Sequence, residues 1–135
     1  MKIYLVSACL MGLKTRYDGK VMPSAACSNI LAGGICIPVC PEQLGGLSTP
    51  RVAADLVNGD GHDVLTGGAR VVNRAGLDVT GNFILGARQV LEIARKQTIE
   101  KVFFKSRSPS CGLRPQVGVT AALLISEGYS VVEVE

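Results

Sequence analysis

Several things are scarce in this 135-residue chain, and each scarcity excludes something. It has no tryptophan, only three tyrosines and three phenylalanines, and a single histidine, His62. With one histidine and no CxxC pair, a structural zinc site of the usual kind has no support. No segment approaches the roughly 20 uninterrupted apolar residues of a membrane helix. A net charge of +3 is mild, and the basic residues are dispersed without interleaved aromatics, so no nucleic-acid polymer is expected as partner. Neither GxGxxG nor GxxxxGK[ST] occurs, which removes the common nucleotide-phosphate loops. The first residues lack a basic n-region, h-region and cleavage site, and the expectation is a cytoplasmic protein.

What is present is cysteine, five in all, an odd count that argues against a complete disulfide framework. The question becomes what each thiol does. Cys27 lies within "SAACSNILA" and Cys36 within "ICIPV", among apolar neighbours, and both read as core packers. Cys9, Cys40 and Cys111 differ. "KIYLVSA", "ICIPVC" and "KVFFK" read as core strands, and these three cysteines stand at or just past their carboxyl ends.

The remaining pattern completes the layout. A helix is expected from Pro23 and Ser24 to Gly33–Gly34, and a long one after Thr80 as N-cap, with Phe83, Ile84, Ala87, Val90, Leu91 and Ala94 at helical spacing. "GVTAALLISEG" reads as a helix closed by Gly128, and "YSVVEVE" as a final strand. "PEQLGGLSTPR" reads as an irregular Gly/Pro-rich loop. Residues 52–80 suggest a short strand or hairpin around "ARVVN" and "LDVT". The order predicts an α/β fold: one domain over 1–135, an open, mostly parallel sheet with helices on both faces, a Rossmann-like three-layer arrangement. In such sheets the ligand crevice lies outside the carboxyl ends of the strands, and neighbouring strands are about 4.8 Å apart. Cys9, Cys40 and Cys111 are thus expected to converge, on a shared metal or cluster site or as reactive thiols. His62, in "NGDGHD", is expected on a surface loop away from them.

"LVSACLMG", "RYDG", "CPEQLGGLSTPR", "DVTGNFILGA", "KSRSPSCG" and "GVTAALL" follow one another in the order of a small bacterial family, so that nearly the whole chain resembles the thiouracil desulfurases. The resemblance implies an enzyme that removes sulfur from a thiolated small molecule such as 2-thiouracil, without net redox change, using a [4Fe-4S] cluster held by Cys9, Cys40 and Cys111. Clusters of this kind usually take one thiolate per iron, so three leave one iron open to a soft sulfur ligand. The resemblance also implies a catalytic acid at Glu42 and a catalytic serine at Ser108 or Ser110, with Ser106 the lesser candidate. A turn-forming role for Glu42 is the alternative. Arg16 and Arg51 are candidate substrate or loop anchors, and Asp18 reads as a turn former. Two departures stand out: Thr15 where many relatives carry a further cysteine, and "LRPQV" where relatives have a longer Gly-rich segment. A rival reading is a non-enzymatic small-ligand or metal-binding domain that uses the thiols for zinc or for redox sensing, and the shorter segment motivates a second rival, a family member that keeps the fold and has lost its chemistry. The partner expected is a small thiolated substrate, with a homodimer left open.

Overall fold

The structure, a computed structural model, describes residues 1–21, 28–29 and 32–135. Strand β1 (Ile3–Ser7) is followed by a 3₁₀ turn (Ala8–Met11), then β2 (Ile35–Val39) and a one-turn helix α1 (Pro41–Leu44). Next come β3 (Ala54–Val57), α2 (Gly61–Thr66) and β4 (Arg70–Asn73). The long helix α3 (Thr80–Arg95), β5 (Ile99–Lys105), α4 (Val119–Ser126) and β6 (Val131–Val134) complete the chain. The helix expected from Pro23 falls largely outside the described residues.

Four strands form a parallel sheet in the order β2-β1-β5-β6, as the apolar runs predict. Leu5 of β1 stands opposite Ile37 of β2 on one side and Val102 of β5 on the other. Alternation along the strands then sorts the two faces. Leu5, Val102 and Phe104 pack with Val90, Leu91 and Ala94 of α3 and with Ala121 and Leu124 of α4. On the opposite face Val6 packs with Leu10 of the 3₁₀ turn and with Val134, flanked by Tyr4 and Phe103, whose rings meet edge to face at 5.4 Å. β2 is an edge strand, which is why it tolerates Pro38, a residue unable to donate to a ladder.

Residues 52–80 hold more structure than the pattern predicts. β3 and β4 pair antiparallel, and α2 lies between them in sequence. Asp60 and Asp63 form a reciprocal capping box that starts α2, so His62 sits exposed on a helix rather than on a loop. Val71 and Val79 pack with Phe83, Ala87 and Val119, so the second face of α3 fastens this ribbon to the domain. Thr80 is not the N-cap of α3 but its first residue, and its amide is accepted by Asp78 Oδ1 at 2.9 Å. Its hydroxyl is engaged by the amide of Val71 at 2.9 Å instead.

The "PEQL" segment is also helical, contrary to the irregular loop expected. A four-residue helix cannot stand on propensity alone. Pro41 fits its first turn, and its orphan carbonyls are taken by side chains of α3: Asn82 donates to Gly45 O and Gln89 to Leu44 O, both at 2.9 Å. Gly86 allows the two helices this approach, since a side chain there would run into the carbonyl of Pro41.

Candidate functional site

β1 is flanked by β2 on one side and by β5 on the other, so the connections diverge from its carboxyl end, the switch point of the sheet. Cys9 occupies the 3₁₀ turn directly after β1, closed by Gly12 at φ 87°. Cys40 is the N-cap of α1, directly after β2. Cys111 lies beyond β5, at the end of the turn Ser106–Ser110. The three thiols line one cavity of about 370 Å³, together with Glu42, Ser108 and Ser110. Every site residue singled out in the sequence is therefore on its wall. His62 is not, and Cys36 is half-buried beside the Val6 cluster, in keeping with a packing role.

Cys111 departs from expectation in one respect. Burial does not end at the strand end: Cys111 is only 4% exposed and belongs to the main core, though the residue still lines the cavity. Burial pushes its thiol up to about 12, the charges of Cys9 and Cys40 add to the shift, and the hydroxyls of Ser7 and Ser110 oppose it. The Cys9 thiol is raised too, first by burial and then by Cys40, against the nearby charges of Lys105 and Arg16. Cys111 thus feels both other sulfurs and Cys9 feels that of Cys40, so thiolates gathered here repel unless a positive centre stands among them. Four cysteines are free thiols among the described residues. No three His, Cys, Asp or Glu among those residues are close enough to share a single metal ion. Zinc would hold every thiolate at about 2.3 Å. A multi-iron cluster distributes its thiolates over separate irons, so three sulfurs spread around a cavity fit it better.

The "SPSC" turn is wired from within. Ser108 Oγ accepts the amides of Ser110 at 3.2 Å and Cys111 at 3.0 Å. With its acceptor side so engaged, it has its proton for Ser110 Oγ, 3.0 Å away. Ser110 Oγ in turn donates to Glu42 Oε2 at 2.9 Å and lies 3.7 Å from Cys111 Sγ. A directed chain Ser108–Ser110–Glu42 results. Ser106 is buried on the same wall but bonds Lys105 Nζ at 3.1 Å and takes no part in the chain. Arg107 adopts φ 60°, an unfavourable conformation for a residue with a side chain. Gly112 makes room for it, since a Cβ there would come within 2.9 Å of the amides of Arg107 and Ser108.

Arg16 is held by Asp18 through two hydrogen bonds of 3.1 and 3.2 Å, and this pairing keeps the Asp18 carboxyl below its ordinary value. Asp18 also accepts the amide of Lys20, the turn-forming role its sequence context predicts. The short segment after "SPSCG" is closed on itself. Glu133 accepts the amides of Leu113 and Arg114, each at 2.8 Å, and Gly118 N bonds Gly112 O at 2.8 Å. None of residues 112–117 lines the main cavity. Several wall residues are not singled out as site residues in the sequence, among them Ser7, Tyr17, Asp55, Arg74, Lys105 and Arg107. Ser7, buried, accepts the amide of Lys105 at 2.9 Å and lies beside Cys111; its one signal is a polar residue in an apolar strand. Tyr17 enters the sequence only as part of "RYDG", with nothing to mark it as a wall residue.

Fold and cavity together define an α/β protein with a thiol-lined ligand site at its sheet's switch point. Residues 4–135 match the family described as 2-thiouracil desulfurase, and the chain belongs to that family. It is 39% identical over 140 residues to the uncharacterized protein YbbK of Bacillus subtilis (strain 168), a match spanning 95% of this chain and 93% of that protein. Among solved structures it is similar to the [4Fe-4S]-dependent thiouracil desulfidase TudS (DUF523Vcz), with a TM-score of 0.80 and 34% identity over 98% of this chain and 91% of the other.

Proposed function

We propose that the protein hydrolyses the C=S bond of a thiolated small molecule such as 2-thiouracil, exchanging C=S and H₂O for C=O and H₂S with no net redox change. Cys9, Cys40 and Cys111 would hold a [4Fe-4S] cluster. When bound, the cluster supplies a Lewis-acidic iron with no protein thiolate, soft enough to favour sulfur. The protein's own groups manage water and protons. Glu42 is the general base: its Oε1 is taken by Arg51 at 3.0 Å, which leaves Oε2, already accepting from Ser110, as the oxygen facing the cavity. An ionised carboxylate oxygen has room for a second donor, so Oε2 can accept a proton from attacking water. Ser110 Oγ orients Oε2 and relays the proton toward the departing sulfur, while Ser108 holds Ser110 in place.

The observation that carries this reading is the Ser110–Glu42 hydrogen bond, formed inside the cavity that the three thiols line. A free-thiol site suits a reducing compartment, and we place the protein in the cytoplasm. No helix of the described residues is long and apolar enough to cross a membrane. The test is anaerobic reconstitution with iron and sulfide, followed by incubation with 2-thiouracil. Equimolar uracil and sulfide are expected; a cluster-loaded protein that leaves 2-thiouracil and other thiocarbonyl bases intact defeats the proposal.

A further inference from the structure

Arg51 is nearly buried, its side chain 8% exposed, and its guanidinium spends every donor it has. A guanidinium carries five N–H groups in a rigid plane. Nε donates to Glu42 Oε1 at 3.0 Å. Nη1 donates to Ser48 O at 3.1 Å and Thr49 Oγ1 at 2.8 Å. Nη2 donates to Thr15 O at 3.0 Å and reaches Cys40 Sγ at 3.9 Å. The backbone amide of Arg51 donates to Tyr17 O at 2.7 Å. Three segments distant in sequence meet on this one side chain: the loop after β1, the start of α1 and the turn 48–51. Nothing is left over for a substrate, although Arg51 stands on the cavity wall.

From this geometry, and resting on the reading of the site as a cluster-dependent desulfurase, we infer that Arg51 is a positioning residue and not a substrate anchor. It acts on two groups at once. By holding Oε1 it presents Oε2 of Glu42 to Ser110 and the cavity. By lying beside Cys40 Sγ it places a permanent positive charge next to that thiol, as Lys105 and Arg16 do near Cys9. Lysine cannot substitute fully, because a point charge reproduces the field at Cys40 but not the planar fork.

The test uses the full chain, reconstituted anaerobically, as wild type, Arg51→Gln and Arg51→Lys. Iron content, cluster reduction potential, and kcat and KM for 2-thiouracil are measured separately. Arg51→Gln is expected to lower kcat roughly 10- to 100-fold, the usual effect of losing a group that orients functional side chains. Its KM should stay within about twofold. Its potential should fall, because removing a positive charge makes adding an electron less favourable. Arg51→Lys should restore the potential while recovering only part of kcat. A raised KM with kcat retained would make Arg51 a substrate anchor and overturn the inference, as would unchanged kcat and potential in Arg51→Gln. Should Arg51→Gln fail to take up iron, Arg51→Lys decides: full kcat means the fork is dispensable and the inference wrong. Wild-type protein that binds a cluster yet releases no sulfide defeats the proposed function instead, and the potentials still report on Arg51.

Discussion

Ser110 Oγ and Glu42 Oε2 meet at 2.9 Å although 68 residues separate them, and each is delivered by a different scaffold. Glu42 rides on α1, which α3 holds through Asn82, Gln89 and the gap at Gly86. Ser110 rides on a turn that the N-terminus of α4 holds: the amides of Thr120 and Ala121 both donate to Ser110 O, at 2.9 and 3.0 Å. Two helices of the core thus set the distance on which proton transfer depends.

Glu42→Gln retains the shape of the side chain and an acceptor for Arg51 but removes the base. Sulfide release should fall by about 100-fold or more, the scale of general-base catalysis, with iron content unchanged. Ser110→Ala should also lower kcat, by a smaller factor, since Glu42 keeps its charge. Steady-state assays of both variants at matched iron loading check the order; a Ser110→Ala protein slower than Glu42→Gln contradicts it.

Ser108→Ala acts first on stability. Its hydroxyl is the side-chain acceptor for two amides of the turn, those of Ser110 and Cys111. Leaving buried donors unsatisfied costs about 1–3 kcal/mol. Urea unfolding of the metal-free protein should show that loss, whereas Ser106→Ala, outside the chain of hydroxyls, should leave activity near wild type.

Two glycines to alanine should move in opposite directions. A Cβ at Gly118 would come within 2.5 Å of the carbonyl carbon of Ser110, so Gly118→Ala must push the turn off α4, lowering both stability and activity. At Gly81, in the first turn of α3, a Cβ meets nothing within 4 Å. Gly81→Ala should stabilise by about 0.4–1 kcal/mol, chiefly by restricting the unfolded chain. Thermal unfolding of the pair reads both signs.

The frame of the sheet was legible because strands such as "IYLVS" and "KVFF" carry the apolar β-branched and aromatic residues that mark a largely buried strand. Likewise the thiols were found by their place after strands, a consequence of chain direction in a parallel sheet. What stayed hidden depended on tertiary partners. α1 has four residues and exists because α3 takes its carbonyls; no local pattern announces that. α2 did carry a signal, the Asp60–Asp63 capping box, masked by the glycines around it. Arg51 looked like any loop arginine, since its acceptors come from residues 15, 40, 42, 48 and 49.

Thiol accessibility separates the three cysteines. Cys9 and Cys40 are half-buried, whereas Cys111 is 4% exposed. In metal-free protein, iodoacetamide followed by peptide mass mapping should label Cys111 slowest. In reconstituted protein all three should be protected, since a thiolate engaged as a ligand is not free to attack, while Cys36, away from the cavity, keeps its metal-free rate.

The most direct measurement replaces Cys111 with alanine and follows colour and chemistry together, under anaerobic reconstitution, with 2-thiouracil. The expected result is a folded protein, verified by circular dichroism, that lacks the brown cluster absorbance and releases no sulfide. A colourless Cys111→Ala protein that still turns 2-thiouracil into uracil and sulfide would contradict the central claim that the three gathered thiols hold the group on which catalysis depends.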